Sequence, residues 1–219
     1  MVQNLGLFCG TFNPIHLGHL LIAESARDQF KLDKVVFVTS ARPPHRRSES
    51  DLLDAQCRYD MVKAAVADNE YFEASRIELD RSGPSYTAET VMHIRRTYDK
   101  GVSLNLILGG DNIRHIKEWY NADYLIEQCR FLVAPRLVYE RSLVPKAPVL
   151  ETIHEQPHSR YYIEGARVGI IDFPATSISS SAVRKRLTEG RSVLYMVPTA
   201  VNEILIEKKF YTRGTASSV

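Results

Sequence analysis

Short apolar runs alternate along this chain with longer stretches of mixed polarity. The runs at 5–9, 35–39, 104–108, 131–134 and 168–173 are rich in Leu, Ile, Val and Phe with few polar interruptions, and a more mixed run at 72–77 is bounded by Phe72 and Ile77. Runs of that length and composition predict strands buried on both faces, not strands with one wet side. Between them, helical patterns at 17–30, 55–67, 87–98, 113–119, 180–189 and 198–208 predict six helices. Leu20, Ala23, Ala26 and Phe30 give the first helix a face to bury. Pro174 stops the last strand before a new helix begins. Strands alternating with helices predict a parallel α/β sheet. In such sheets ligands bind beyond the carboxyl ends of the strands, so the loops there are the places to look for chemistry.

At 219 residues the chain is long enough for one large core. A single domain is expected over 1–211, with an irregular insertion or long loop at 136–166 and a tail at 212–219. The net charge of +2 gives no whole-molecule field suited to a polynucleotide. The local basic cluster from Arg42 to Arg47 suits small phosphorylated ligands better. Three cysteines, odd in number and widely spaced, argue against a disulfide framework. No apolar run is long enough to cross a bilayer, and the first residues lack a signal-peptide pattern. The expectation is a cytoplasmic protein that meets neither membrane nor nucleic acid, with room for a homo-oligomer.

The loop after the first strand carries the most chemistry. Gly10 breaks the strand, and His16-Leu-Gly-His19 opens the first helix. Histidines three apart can face the same way on a helical turn. There the helix dipole and free amide N–H groups favour an anion, and the imidazoles add donors. The same spacing also fits two unrelated histidines near a turn. A zinc site needs three or four ligands, and Cys9, Cys57 and Cys129 are scattered singly. Neither G-x-x-x-x-G-K-[ST] nor G-x-G-x-x-G occurs at this position, which removes two common nucleotide loops.

Three further stretches stand after predicted strands. Arg42-Pro-Pro-His-Arg46 is a stiff loop that can place His45 and Arg46. Leu106-Ile-Leu-Gly-Gly-Asp111 ends in two glycines and an acid, which suits close approach by a ligand and a bond to ribose hydroxyls. Thr176-Ser-Ile-Ser-Ser-Ser181 leads into a helix with Arg184 and Arg186 early in it. Its serines can cap that helix and aim its N–H groups at an anion. Ser85-Tyr-Thr87 follows a turn and is by itself a helix cap. Trp119, the only tryptophan, fits a core or a ring-stacking role.

Gly10-Thr-Phe-Asn-Pro-Ile-His-Leu-Gly-His19 resembles the G-x-F-[DN]-P-x-H-x-G-H signature of nucleotidyltransferases. It is most similar to that of the bacterial nicotinate-mononucleotide adenylyltransferases. Ile178-Ser-Ser-Ser-Ala-Val-Arg184 resembles the family's I-S-S-T-x-[IV]-R, with Ser181 in place of Thr. Ser85-Tyr-Thr-Ala-Glu-Thr90 resembles its S-Y-T-x-x-T, and Arg46 stands where P-P-H-K is usual. Arg58-Tyr-Asp-Met61, Ile77-Glu-Leu79 and Val197-Pro-Thr-Ala-Val-Asn202 also match family positions.

The resemblance implies a Rossmann-like doubly wound parallel sheet of nucleotidyltransferase type. It implies adenylyl transfer from ATP to nicotinate mononucleotide, giving nicotinate adenine dinucleotide and pyrophosphate. His16, His19 and Arg184 would be the catalytic residues. Gly10, Phe12, Gly109, Asp111, Ile178, Ser179 and Ser180 would join them in holding ATP. Thr11, His45, Arg46, Ser85, Tyr86, Thr87, Trp119 and Tyr120 would hold the mononucleotide. Mg2+ would come bound mainly to the ATP phosphates, without a protein metal cage. Asn13, where bacterial members commonly carry Asp, leaves nicotinamide mononucleotide open as a substrate. The same motifs also fit a sister transferase with the same His pair, or a non-catalytic nucleotide sensor.

Overall fold

The computed structural model describes residues 2–44, 51–98, 101–113, 115–135, 163–174 and 176–212. Its strands are β1 (Asn4–Gly10), β2 (Lys34–Thr39), β3 (Phe72–Ser75), β4 (Ser103–Gly109), β5 (Cys129–Ala134) and β6 (Arg167–Ile170). Its helices are α1 (Leu17–Phe30), α2 (Ala55–Val66), α3 (Thr87–Thr97), α4 (Gly110–Ile113), α5 (Ala122–Gln128), α6 (Ser180–Thr188) and α7 (Thr199–Glu207). The sheet runs β3-β2-β1-β4-β5-β6. β1 pairs parallel with β4, β4 with β5 and β5 with β6. This is the doubly wound order, and it reverses beside β1. The loop that follows β1 therefore leaves the carboxyl end of the strand at the switch point.

The chain divides into two compact units, each built from separated segments. One comprises Met1–Phe8, Ile22–Val35 and Thr87–Ala175; the other comprises Cys9–Leu21, Val36–Tyr86 and Thr176–Val219. In the first, Leu5, Leu7, Leu106, Ile107, Phe131, Leu132 and Val133 are buried. The buried polar residue Asn105 is satisfied there: its amide donates to Asn4 Oδ1 at 2.7 Å. In the second, Val36, Phe37 and Val38 of β2 are buried, and α2 packs on α7 through a core that includes Met61, Val62, Val201 and Leu205. α2 starts where Asp54 caps it by accepting from the Gln56 N–H at 2.7 Å.

The helix expected over 113–119 does not form. α4 stops at Ile113, a short 3-10 turn covers Ile116–Glu118, and Trp119 is extended (φ −73°, ψ 149°). Asn121 then adopts a left-handed conformation (φ 52°) and starts α5, which the apolar spacing did not reveal. Three pieces of four, three and seven residues are too short to show a helical period. Ile113 and Ile116 are nevertheless both buried, which is why they read as one helical face. The 72–77 and 168–173 runs pair as strands only as far as Ser75 and Ile170.

Candidate active site

The loop from Gly10 to His16 folds over its own aromatic ring. Phe12 has φ of +47° and is buried, with its ring lying against Gly10. A Cβ on Gly10 would come within 2.9 Å of Phe12 Cζ, so only glycine leaves room. The edge of Phe12 then meets His19, with ring centres 5.1 Å apart.

His16 and His19 are brought together as their spacing predicts. Their rings stack at 3.7 Å between centres and 26° between planes. The His16 main-chain N–H donates to Nδ1 of His19 at 3.2 Å. That bond fixes the neutral tautomer of His19: Nδ1 accepts, so the proton sits on Nε2. Burial lowers the His16 imidazole from 6.5 to about 4. Burial, then the His16 ring beside it, holds His19 well below 6.5. Both rings are neutral donors at pH 7. Nδ1 of His16 is buried with no hydrogen-bond partner among the described residues. A group so placed carries a desolvation cost that a bound ligand would relieve.

The serine-rich segment comes to the same loop. Ser179 caps α6 by accepting from the Ala182 N–H at 3.2 Å. The Ser180 hydroxyl donates to the Pro14 carbonyl at 2.9 Å. Arg184 donates from Nη1 to the Asn13 carbonyl at 2.9 Å, and its Nε pairs with the carboxylate of Asp51. The N-terminus of α6 is thereby anchored on the loop that leads into α1, and Arg184 is held by a side chain of its own protein. The same unit holds Ser85 and Tyr86. The Ser85 hydroxyl accepts from the Arg42 N–H at 3.0 Å, and the Ser85 N–H donates back to the Arg42 carbonyl at 3.0 Å. Ser85 thus fastens the start of the Arg42-Pro-Pro loop. His45 and Arg46, and with them Arg47, lie outside the described residues.

The other unit presents Gly109 at the end of β4, Asp111, Trp119 and Tyr120 after it, and Thr87 at the start of α3. A Cβ on Gly109 would meet nothing within 4 Å, so the protein's own packing does not demand glycine there. Asp111 is exposed in α4. Trp119 is half-buried and not part of the core, and Tyr120 is 53% exposed.

The model of the cytidylyltransferase-like family matches residues 7–186. A protein of Moorella thermoacetica described as a probable nicotinate-nucleotide adenylyltransferase is 39% identical over 208 residues, covering 94% of this chain and 91% of its own. One of Thermus thermophilus with the same description is 39% identical over 208 residues, covering 94% and 97%. This chain belongs to the nicotinate-nucleotide adenylyltransferase family. The fold agrees: the nicotinic acid mononucleotide adenylyltransferase of Plasmodium falciparum, solved with NaAD, superposes with a TM-score of 0.68 at 17% identity, covering 95% of this chain and 97% of that one.

For a nicotinate-nucleotide adenylyltransferase, three residues around the loop carried no assigned role in the sequence. Asp51 pairs with Arg184 across 133 positions, and nothing local signals it. Tyr211 donates its hydroxyl to Asn13 Oδ1 at 2.6 Å, and burial raises its phenol above the ordinary range. Arg58, which matches a family position, is completely buried. Asn13 itself is 2% exposed: its amide donates to the Asp51 carbonyl at 2.9 Å, and Oδ1 also accepts from the Leu53 N–H at 3.2 Å. Its side chain is spent on Asp51, Leu53 and Tyr211, so its identity does not argue for an amide-bearing substrate.

The groups brought to the loop are imidazoles, hydroxyls and a guanidinium, which suit an anion, and the Asp51 carboxylate beside them is paired with Arg184. Among the described residues, no group of three or more His, Cys, Asp or Glu side chains could hold a metal ion.

Proposed function

We infer that this protein transfers the adenylyl group of ATP to nicotinate mononucleotide. The observation that carries the reading is the stacked, neutral histidine pair at the start of α1, in which Nδ1 of His16 is buried and has no partner among the described residues. The membership of the chain in the adenylyltransferase family supports it.

In the reaction a 5′-phosphate oxygen of the mononucleotide attacks the α-phosphorus of ATP. A new P–O bond forms, the bond from the α-phosphorus to the bridging oxygen breaks, and pyrophosphate leaves with that electron pair. The nucleophile is already an anion, so alignment and charge stabilisation carry the rate. His16 and His19 donate to oxygens of the α- and β-phosphates as charge builds there. Neutral donors suit this task because they hold no charge that burial must penalise before ATP arrives. Arg184, with the N–H groups of Ser179 and Ser180 at the start of α6, takes the leaving pyrophosphate. The main chain around Gly10, Phe12 and Ile178 completes the ATP contacts.

Gly109 and Asp111 are assigned to the ribose of ATP, and Trp119 to the face of the pyridine ring. Thr87 and the main chain near Tyr120 are assigned to the ring carboxylate, with Ser85 and Tyr86 beside them. Thr11, His45 and Arg46 are assigned to the mononucleotide phosphate. Mg2+ supplies charge neutralisation and is carried by ATP phosphates and water.

The test is pyrophosphate release with ATP and magnesium, comparing nicotinate with nicotinamide mononucleotide by kcat/KM. A large preference for the nicotinate form supports the reading. Comparable rates make the enzyme dual-specific, and no release with either substrate overturns the assignment.

A further inference from the structure

Arg58 is completely buried in the second turn of α2. A buried guanidinium ordinarily faces a carboxylate. Asp54 and Glu78 are near enough to favour its charge, yet its hydrogen bonds among the described residues run to main-chain carbonyls. Nε donates to Leu53 at 2.8 Å, which pins the side chain to the start of its own helix. Nη1 donates to the Thr11 and Ser40 carbonyls, both at 2.7 Å, and Nη2 reaches the Ala41 carbonyl at 3.4 Å. A single nitrogen therefore bridges the loop after β1 and the loop after β2. The Ser40 N–H adds a second tie between them by donating to the Gly10 carbonyl at 2.9 Å.

These bonds fix peptide planes as well as distances. In a trans peptide the N–H points opposite to the preceding C=O. With the Ser40 carbonyl held toward Arg58, the Ala41 N–H is turned away from it. The Thr11 carbonyl is held in the same manner, which fixes the backbone that carries the Thr11 hydroxyl.

We propose that Arg58 is a positioning residue that presets the phosphate subsite of the mononucleotide, aiming the Ala41 N–H and the Thr11 hydroxyl at one anion. The proposal rests on the adenylyltransferase reading. Lysine keeps the charge but ends about one atom short of Nη1 and lacks the Nε and Nη2 donors that hold Leu53 and reach Ala41, so it cannot keep this set of carbonyls together.

The first test is Arg58→Lys in the full-length protein, with KM measured for each substrate. The expected result is a KM for nicotinate mononucleotide raised about tenfold, the scale of a lost charged hydrogen bond. The KM for ATP should stay within about twofold on the same reasoning. A lower melting temperature with both KM values unchanged makes Arg58 a purely structural residue and overturns the proposal; so does an equal rise in both. The second test needs no variant. Nicotinate mononucleotide titrated without ATP into the 15N-labelled wild-type protein should move the amide resonances of Thr11 and Ala41. If other resonances move and these two do not, the subsite lies elsewhere and the proposal fails. If the wild type binds no mononucleotide and releases no pyrophosphate, it is the functional reading that falls.

Discussion

Gly18 explains, at the level of single atoms, why the His-x-Gly-His element carries a glycine. A Cβ on Gly18 would lie 3.0 Å from Nδ1 of His16 and 3.2 Å from Cγ2 of Thr176. The glycine lets the His16 ring stand close to the helix and stack on His19. Alanine in a helix is ordinarily favoured over glycine by about 1 kcal/mol. Gly18→Ala should therefore separate activity from stability. Turnover should fall about tenfold or more, because small misplacements of catalytic groups are costly, while the melting temperature moves little. Kinetics and a thermal melt on one preparation decide it; unchanged kcat would mean that the His16 ring position is not critical.

The same ring sets a pH dependence. Native His16 takes up its proton only near pH 4, whereas the unfolded chain does so near 6.5. Between those values the unfolded state binds more protons, so acid favours unfolding. This stability is fully present above about pH 6.5 and is lost as pH falls toward 4, worth about 3 kcal/mol in all. His19, also lowered, acts in the same direction. Urea unfolding of the ligand-free protein at about pH 7.5 and about pH 5 should show His16→Gln losing less stability than wild type, by about 2 kcal/mol. Parallel losses in the two proteins would contradict a neutral, buried His16.

At the scale of elements, α6 is the part whose placement the site depends on. Ser180 and Arg184 both hold the Asn13–Pro14 region, and Asp51 occupies the guanidinium of Arg184. Asp51 and the triphosphate are both anions, so they compete for one cation. Asp51→Asn removes the competitor's charge and should lower KM for ATP by a few-fold, while Arg184→Ala should raise it; a rise in KM with Asp51→Asn would show instead that the carboxylate is needed to aim Arg184.

The sequence was informative where signals are local. α1 matched its expected bounds, and the other long helices did so within a residue at each end, because apolar spacing and side-chain caps such as Asp54 and Ser179 act over a few positions. The His pair was legible for the same reason. Arg58 was matched without a role because an arginine in a helix reads as solvent-facing, and the two carbonyls that Nη1 bridges, Thr11 and Ser40, lie 47 and 18 positions away. The pieces between β4 and β5 were illegible because they are too short to show a period.

For the whole molecule, the net charge of +2 is too small to offset the phosphates that the proposed reaction brings together. The compensation has to be local. In the proposed site Arg184 and the N-terminal ends of α1 and α6 would supply part of it. In the proposed reaction the rest is assigned to magnesium that arrives on ATP and leaves with the products. That assignment separates the two things a chelator can do. EDTA should abolish pyrophosphate release, and excess Mg2+ should restore it. On that assignment the melting temperature of the free protein should not move with EDTA. It should rise when ATP and Mg2+ are added together, because binding adds a stability set by how far ATP exceeds its dissociation constant, about 2.7 kcal/mol at a hundredfold excess. A free protein that melts lower in EDTA would instead hold a resident metal, and the charge balance proposed for the site would have to be redrawn around it.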